Sequence, residues 1–268
     1  MNRSPAASEH VLVERDGPVA VVRLNRPDKL NAFDAGMAFA IPAAIEAAGS
    51  GEGTRAVVVT GEGRGFCAGA DIDVLDELVV QRDEKGLAQL LEAGERVNHV
   101  IRALEVPVIA AINGPAAGGG ANLALACDLR IMAESASIGQ SFTRIGLHPD
   151  WGGTYLLPRL VGVARALELM WSGRMVAADE ALRIGLVHRL APLERFHEEA
   201  LAWARQIAAG PPVAVARIKR AIYDSLDADL DAMLAVELAH QLDCFRSEDC
   251  ARGLFAFRGK ETPRFEGS

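Results

Sequence analysis

Short apolar runs alternate with amphipathic stretches along most of the chain. Val11 to Val13 and Val19 to Leu24 are β-branched runs split by Asp16, Gly17 and Pro18, which predicts an opening hairpin. Phe33, Met37, Ile41, Ile45 and Ala48 then recur at helical spacing. Asn31 is the expected cap of that helix, Pro42 the expected kink, and Gly49 to Gly53 its end. Arg55 to Thr60 and Val106 to Ile112 are continuous apolar runs, as strands covered on both faces require. Glu84 to Leu104 is amphipathic, Ala121 to Ala126 reads as helix, and Leu129 to Met132 as a short strand. Alternation of this kind predicts an α/β core.

The β pattern stops near residue 192. Glu194 to Ala209, Val213 to Leu226 and Leu230 to Phe245 are three successive helical patterns, and Gly210, Pro211 and Pro212 separate the first two. The expected organisation is therefore an α/β core over 1–192 and a helical region over 193–268. No fixed-period repeat or long linker interrupts either part.

Composition narrows the function classes. The net charge of the 268 residues is −8, and no Lys/Arg block is present, which argues against a nucleic-acid partner. Met1 to His10 is polar and lacks an apolar signal core, and no apolar run approaches the ~20 residues of a membrane span. Cys67, Cys127, Cys244 and Cys250 form no C-x-x-C and no cluster with histidine, so buried thiols are expected rather than a metal site. The expected location is cytoplasmic.

Two glycine-rich turns carry the candidate chemistry. GEGRGFCAGAD spans Gly61 to Asp71, and NGPAAGGGAN spans Asn113 to Asn122. Each follows an apolar strand. Backbone N–H groups at such turns can converge on an anion, and glycine permits close approach. Simple tight turns are the alternative. Phe66 stands where a dinucleotide fingerprint needs its third glycine, and no G-K-[ST] follows either turn.

Taken together, LNRPDKLNAF (Leu24 to Phe33), VVVTGEGRGFCAGADI (Val57 to Ile72), INGPAAGGGANLALACDLRI (Ile112 to Ile131) and IGLHPDWGGTYLLPRLVG (Ile145 to Gly162) resemble successive signatures of the crotonase (enoyl-CoA hydratase/isomerase) superfamily. ADEALRIGLVHRL, Ala178 to Leu190, resembles the next segment. The likeness spans roughly Val11 to Arg258. It implies a spiral of ββα units, then helices that build homotrimers, commonly stacked as hexamers. It implies an acyl-CoA thioester substrate whose coenzyme A is part of the substrate, with no separate cofactor. Matching positions give an oxyanion hole from the N–H groups of Ala70 and Gly119. They place coenzyme A along Lys29, Leu30, Ala68, Asp71 and Ile72, with Phe257 and Lys260 reaching the nucleotide end, usually of a neighbouring subunit's ligand.

The chain departs from the hydratases of that superfamily. Asn122 and Phe142 stand where the resemblance implies two glutamates. An amide cannot act as a base, and a phenyl ring carries no proton chemistry. Asp150, in HPDWGG, matches the single carboxylate of the superfamily's isomerases, and the expected reaction is a double-bond shift. An aspartate before a glycine pair is equally a helix cap. The alternatives are a hydratase with an atypical site and a silent acyl-CoA binder. Phe142, Leu147 and Trp151 are read as walls of an apolar acyl pocket or as ordinary core, with Asn122 as a substrate contact. Asp76 and Glu77 are reserve bases, His148 a solvated loop residue and Arg144 a surface cation.

Overall fold

A computed structural model describes residues 10–268; apart from His10, the polar Met1–His10 stretch lies outside the described residues. The hairpin forms as β1 (Val11–Asp16) and β2 (Val19–Leu24), followed by α1 (Ala35–Gly49) and β3 (Ala56–Gly61). Two helices come next, α2 (Ile72–Gln81) and α3 (Glu84–Ala103). Then follow β4 (Val108–Ile112), β5 (Ala116–Ala117), α4 (Gly119–Ala126), β6 (Leu129–Ala133) and β7 (Ser137–Gly139). The remaining elements are α5 (Gly153–Val161), α6 (Val163–Ser172), β8 (Met175–Ala177), α7 (Ala178–Arg183), β9 (Arg189–Ala191), α8 (Phe196–Ala208), α9 (Pro212–Asp224), α10 (Leu230–Arg246) and α11 (Glu248–Gly259).

Six strands form the main sheet in the order β1-β2-β3-β4-β6-β9. Only the β1–β2 pair is antiparallel, because only a short turn joins those strands. β3 and β4 are buried along their whole length, which explains their continuous apolar sequence. A smaller sheet, β5-β7-β8, stands beside the main one. Asp128 fastens α9 to the core. Its carboxylate receives Lys219 Nζ at 2.7 Å, Tyr223 Oη at 2.6 Å and the Val108 N–H at 2.7 Å.

Several sequence expectations need correction. Asn31 does not cap α1; Asp34 does, its side chain accepting the Met37 N–H at 2.8 Å. Asn31 is fully buried and ties two loops together. Its Oδ1 accepts the Arg26 N–H at 2.8 Å, and its Nδ2 donates to the carbonyls of Glu62 (3.0 Å) and Gly65 (2.8 Å). The helix α1 runs on through Pro42, which is buried in its interior. The sequence reading did not name α2, a short helix with no fully buried residue whose Val74, Leu75 and Leu78 pack only partly buried against the core. A fourth C-terminal helix, α11, follows α10 after Ser247, whose hydroxyl accepts the Cys250 N–H. Among the described residues no helix is long and apolar enough to cross a membrane, and no group of three or more His, Cys, Asp and Glu gathers to hold a metal.

Asn31 also sits at φ +56°, a left-handed conformation that asparagine tolerates better than most residues. Asn31→Ala removes its three hydrogen bonds and leaves buried backbone groups unpaired. The expected loss is about 3 kcal/mol, read as a fall in the urea unfolding midpoint. A loss under about 1 kcal/mol means the loops hold each other without it.

Candidate active site

The two glycine turns lie against each other, and backbone hydrogen bonds set how. The first turn lies beside Phe33: the Phe33 N–H donates to Gly69 O at 2.8 Å, and the Asp71 N–H donates to Phe33 O at 2.9 Å. In that parallel bridge Ala70 is the residue whose own N–H is not used. The second turn lies beside the first, with the Ala117 N–H on Cys67 O at 3.0 Å. The Gly118 N–H is spent on Gly139 O at 3.0 Å, and α4 starts at the next residue. Gly119 is thus the first residue of a helix, where no earlier helical carbonyl can receive its N–H. Among the described residues neither the Ala70 nor the Gly119 N–H has a protein acceptor.

The approach is close enough to exclude side chains. Gly69 has φ +93°, and a Cβ there would stand 2.9 Å from Ala117 O. A Cβ on Gly120 would come within 2.2 Å of Cys67 O. Cys67 itself is fully buried, its Sγ donating to Asn31 O, and burial pushes its thiol up to about 12. It is a packing residue and not a nucleophile.

Ala70 and Gly119 line one cavity of about 380 Å³. Lys29, Ala68, Asp71, Ile72, Phe142, Asp150 and Trp151 line it too. Leu30 does not line it; its carbonyl instead accepts the Ala68 N–H at 3.0 Å and so shapes the turn. Phe257 is 84% exposed on α11, and neither it nor Lys260 borders this cavity within one chain. Asn122 is not a wall residue. It is fully buried, its Nδ2 donating to Asp150 O at 2.8 Å and its Oδ1 accepting from Gln140 Nε2 at 2.7 Å. Arg144 and Leu147 do border the cavity, Arg144 as an exposed rim residue. His148, Asp76 and Glu77 lie outside it. Phe33, Leu87 and Leu90 are among the other wall residues; nothing in their local sequence distinguishes them from ordinary core.

Two carboxylates border the cavity, Asp71 and Asp150. Asp71 is engaged. Its side chain caps α2, pairs with Arg26 at 2.9 Å and lies 3.6 Å from Lys29. Burial opposes its ionisation, but the Asp73 N–H, Arg26 and Lys29 hold its carboxyl below the usual range. Lys29 in turn is raised, chiefly by its hydrogen bond to Asp73.

Asp150 is the opposite case. Its Oδ1 is buried with no hydrogen-bond partner. The cap reading fails, because Gly152 occupies the N-cap position of α5 and no side chain caps that helix. A Cβ on Gly119 would stand 3.8 Å from Asp150 Oδ1, so the carboxyl borders the turn with the unspent N–H groups. Burial raises its pKa from 3.8 to about 6, against smaller lowering effects of its own backbone N–H and of His148. Trp151 lines the same cavity. Its ring stacks on Phe33 at 4.4 Å, and its Nε1 donates to Leu90 O at 3.0 Å. Trp151 has φ +46°, an unfavourable region for a bulky residue. Asn98 Nδ2, donating to Trp151 O at 3.0 Å, helps hold it there. Gly94 of α3 makes room, since a Cβ there would lie 2.2 Å from the indole.

The comparisons with known proteins agree with this geometry. The family model for enoyl-CoA hydratase/isomerase matches residues 14–268. A Rhodobacter capsulatus protein named "Probable enoyl-CoA hydratase" is 42% identical over 254 residues, covering 93% of this chain and 95% of its own. The 1,2-epoxyphenylacetyl-CoA isomerase of Escherichia coli is 37% identical over 264 residues, covering 97% of this chain and 99% of its own. The crystal structure of an enoyl-CoA hydratase from Bacillus anthracis superposes with a TM-score of 0.91 at 36% identity, covering 97% of this chain and 100% of that one. The chain belongs to the enoyl-CoA hydratase/isomerase family, and its fold is that of the crotonase superfamily.

The buried carboxyl of Asp150 sets a pH signature of stability. Unfolded, it ionises near 3.8; folded, near 6. Between those values the unfolded chain sheds this proton and the folded chain does not, so stability contributed by the neutral carboxyl is lost as pH rises. Asp150→Asn, which does not titrate, is expected to be more stable than the parent by about 3 kcal/mol above pH 7. The difference should vanish below about pH 4, as read by urea unfolding across pH. A gain equal at both pH values would mean the carboxyl is not raised.

Proposed function

We propose that this enzyme isomerises enoyl-CoA thioesters, shifting a carbon–carbon double bond, with Asp150 as a one-carboxylate proton shuttle. The observation that carries this reading is the asymmetry of the two cavity carboxylates. Asp71 is neutralised by Arg26 and Lys29, while Asp150 Oδ1 is buried and unpartnered. Ionised Asp150 takes a proton from the carbon next to the double bond. The electron pair delocalises onto the thioester oxygen, where the N–H groups of Ala70 and Gly119 stabilise it. One such donor is worth about 3 kcal/mol in a comparable hole. Protonated Asp150 then returns its proton to the far carbon, and no water is consumed. A pKa near neutrality suits a group that must both accept and donate.

Family activity on acyl-CoA thioesters is supported by the relatives; hydratase names are the commoner among them. Hydration as those enzymes are read above needs a second carboxylate to handle water, and Phe142 fills that place. The coenzyme moiety would lie along Lys29, Ala68, Asp71 and Ile72, as part of the substrate and with no separate cofactor. A second cavity of about 430 Å³ shares Ile72, Leu75, Leu87, Ile145 and Leu147 with the first. That continuity favours a long or aromatic acyl chain. In deuterated water the enzyme should exchange the α and γ protons of a medium-chain 3-enoyl-CoA, read by mass spectrometry. Asp150→Asn should slow exchange by about 10²-fold or more. Undiminished exchange in that variant, or rapid water addition to a 2-enoyl-CoA, would overturn the assignment.

The region 193–268 is proposed to assemble trimers, with hexamers as stacked pairs. Leu230, Leu234, Leu238 and Leu242 recur every four residues on α10, and all are exposed in the single chain. Phe245, Leu254, Phe255 and Phe257 extend that uncovered apolar surface. Sedimentation equilibrium should return three or six chain masses, and Leu238→Glu should lower that number; a monomer at micromolar concentration would refute it.

A further inference from the structure

Asn122 and Gln140 take no part in the proton transfer proposed above, yet both are buried polar residues. Their contacts converge on one turn. Asn122 Nδ2 donates to the carbonyl of Asp150 at 2.8 Å, and the same carbonyl accepts the Gly153 N–H at 2.8 Å. Gly153 lies flat on the Asn122 amide, where a Cβ would stand 2.4 Å from it. Gln140 Nε2 donates to Asn122 Oδ1 at 2.7 Å. Gln140 directly follows Gly139, whose carbonyl receives the Gly118 N–H. One short segment thus touches the glycine turn through its backbone and the Asp150 turn through an amide pair.

We infer that Asn122 and Gln140 are positioning residues, an amide pair that pins the Asp150–Gly153 turn to α4 and so fixes the Asp150 carboxyl beside Gly119. The inference rests on the reading of Asp150 as the proton shuttle. The residue types suit this work. Only a side chain with a donor at one end and an acceptor at the other can serve both neighbours. A carboxylate at 122 would face the Asp150 carbonyl with an acceptor, and an aliphatic residue would leave Gln140 unpaired. The Asp150 carbonyl can only accept, so it draws the Nδ2 end of Asn122, and Gln140 Nε2 satisfies the Oδ1 left at the other end. The pair is also neutral, so it adds no charge beside the carboxyl. The charged and titratable groups around the cavity are Lys29 and Asp71, which face each other, the exposed Arg144 on the rim and His148 two residues before Asp150. Burial therefore dominates the proton affinity of Asp150, and burial depends on where the turn is held.

The test is the titration of the Asp150 carboxyl, followed by infrared difference spectra taken against Asp150→Asn. The measurement needs no substrate and stays informative even if Asp150 proves not to shuttle protons. Gln140→Met frees the Asn122 amide while keeping volume, and Asn122→Leu, neutral and of similar volume, serves if the first variant does not fold. In either, the released turn should let water reach the carboxyl and lower its midpoint by about half a pH unit or more. The exchange rate kcat should fall by about tenfold or more, with KM within about twofold of the parent. A role in packing alone lowers the melting temperature and leaves the midpoint where it was. An unmoved midpoint in a folded variant would overturn the inference. A moved midpoint with full exchange in Asp150→Asn would keep the positioning and discard the shuttle.

Discussion

The backbone hydrogen bonds that hold the two glycine turns to each other and to their neighbours are the constraint on which the site depends. Phe33, Gly69 and Asp71 form one exchange, Cys67 and Ala117 another, and Gly118 and Gly139 a third. Each spends a neighbouring N–H and leaves those of Ala70 and Gly119 over. Buried donors without partners are costly, so they persist only where the surrounding bonds overdetermine the backbone. That is the condition an oxyanion hole needs: donors fixed in advance, with no reorganisation as charge develops. The absence of side chains at Gly69 and Gly120 is what lets the strands of the two turns meet at backbone distance.

The carboxyl of Asp150 obeys a related logic. Its environment is apolar because Trp151 lies on Phe33 and against Gly94, in a backbone conformation that costs energy. Its Oδ1 is left without a partner. Both features work against stability, and both raise its proton affinity toward the range where a carboxyl can give as well as take. Strain and desolvation concentrated at one turn fit a site shaped by function more than by folding. The neutral amides of Asn122 and Gln140 add order there without adding charge.

Some residues carried their role in their local pattern, and others did not. The glycines of both turns, the buried strands and the long amphipathic α3 were legible from spacing and composition alone. Asn31 was misread as a cap because an asparagine ahead of a helical pattern looks like one; its true partners, Glu62 and Gly65, are over thirty residues away. α2 was passed over although Val74, Leu75 and Leu78 pack on the core, because the helix is short and its other apolar residues, Ile72, Val79 and Val80, are exposed. Arg144 read as a surface cation, and it is exposed, but the exposed place it holds is the cavity rim.

Sequence alone determined the α/β class, the family likeness and the presence of an amide at 122 and a phenyl ring at 142, because each rests on residue identity or on short-range periodicity. It also singled out Asp150 as the candidate base, with Asp76 and Glu77 in reserve and Asp71 as a coenzyme contact. Only the tertiary structure showed how differently the surroundings of Asp71 and Asp150 treat their carboxyls. Arg26 comes from 45 residues away to neutralise Asp71, while Trp151, Phe33 and Leu90 of α3 line the same cavity as Asp150. The same side chain becomes a salt-bridged cap in one place and a protonatable acid in the other, because pKa is set by charge and solvent in three dimensions and not by neighbours along the chain.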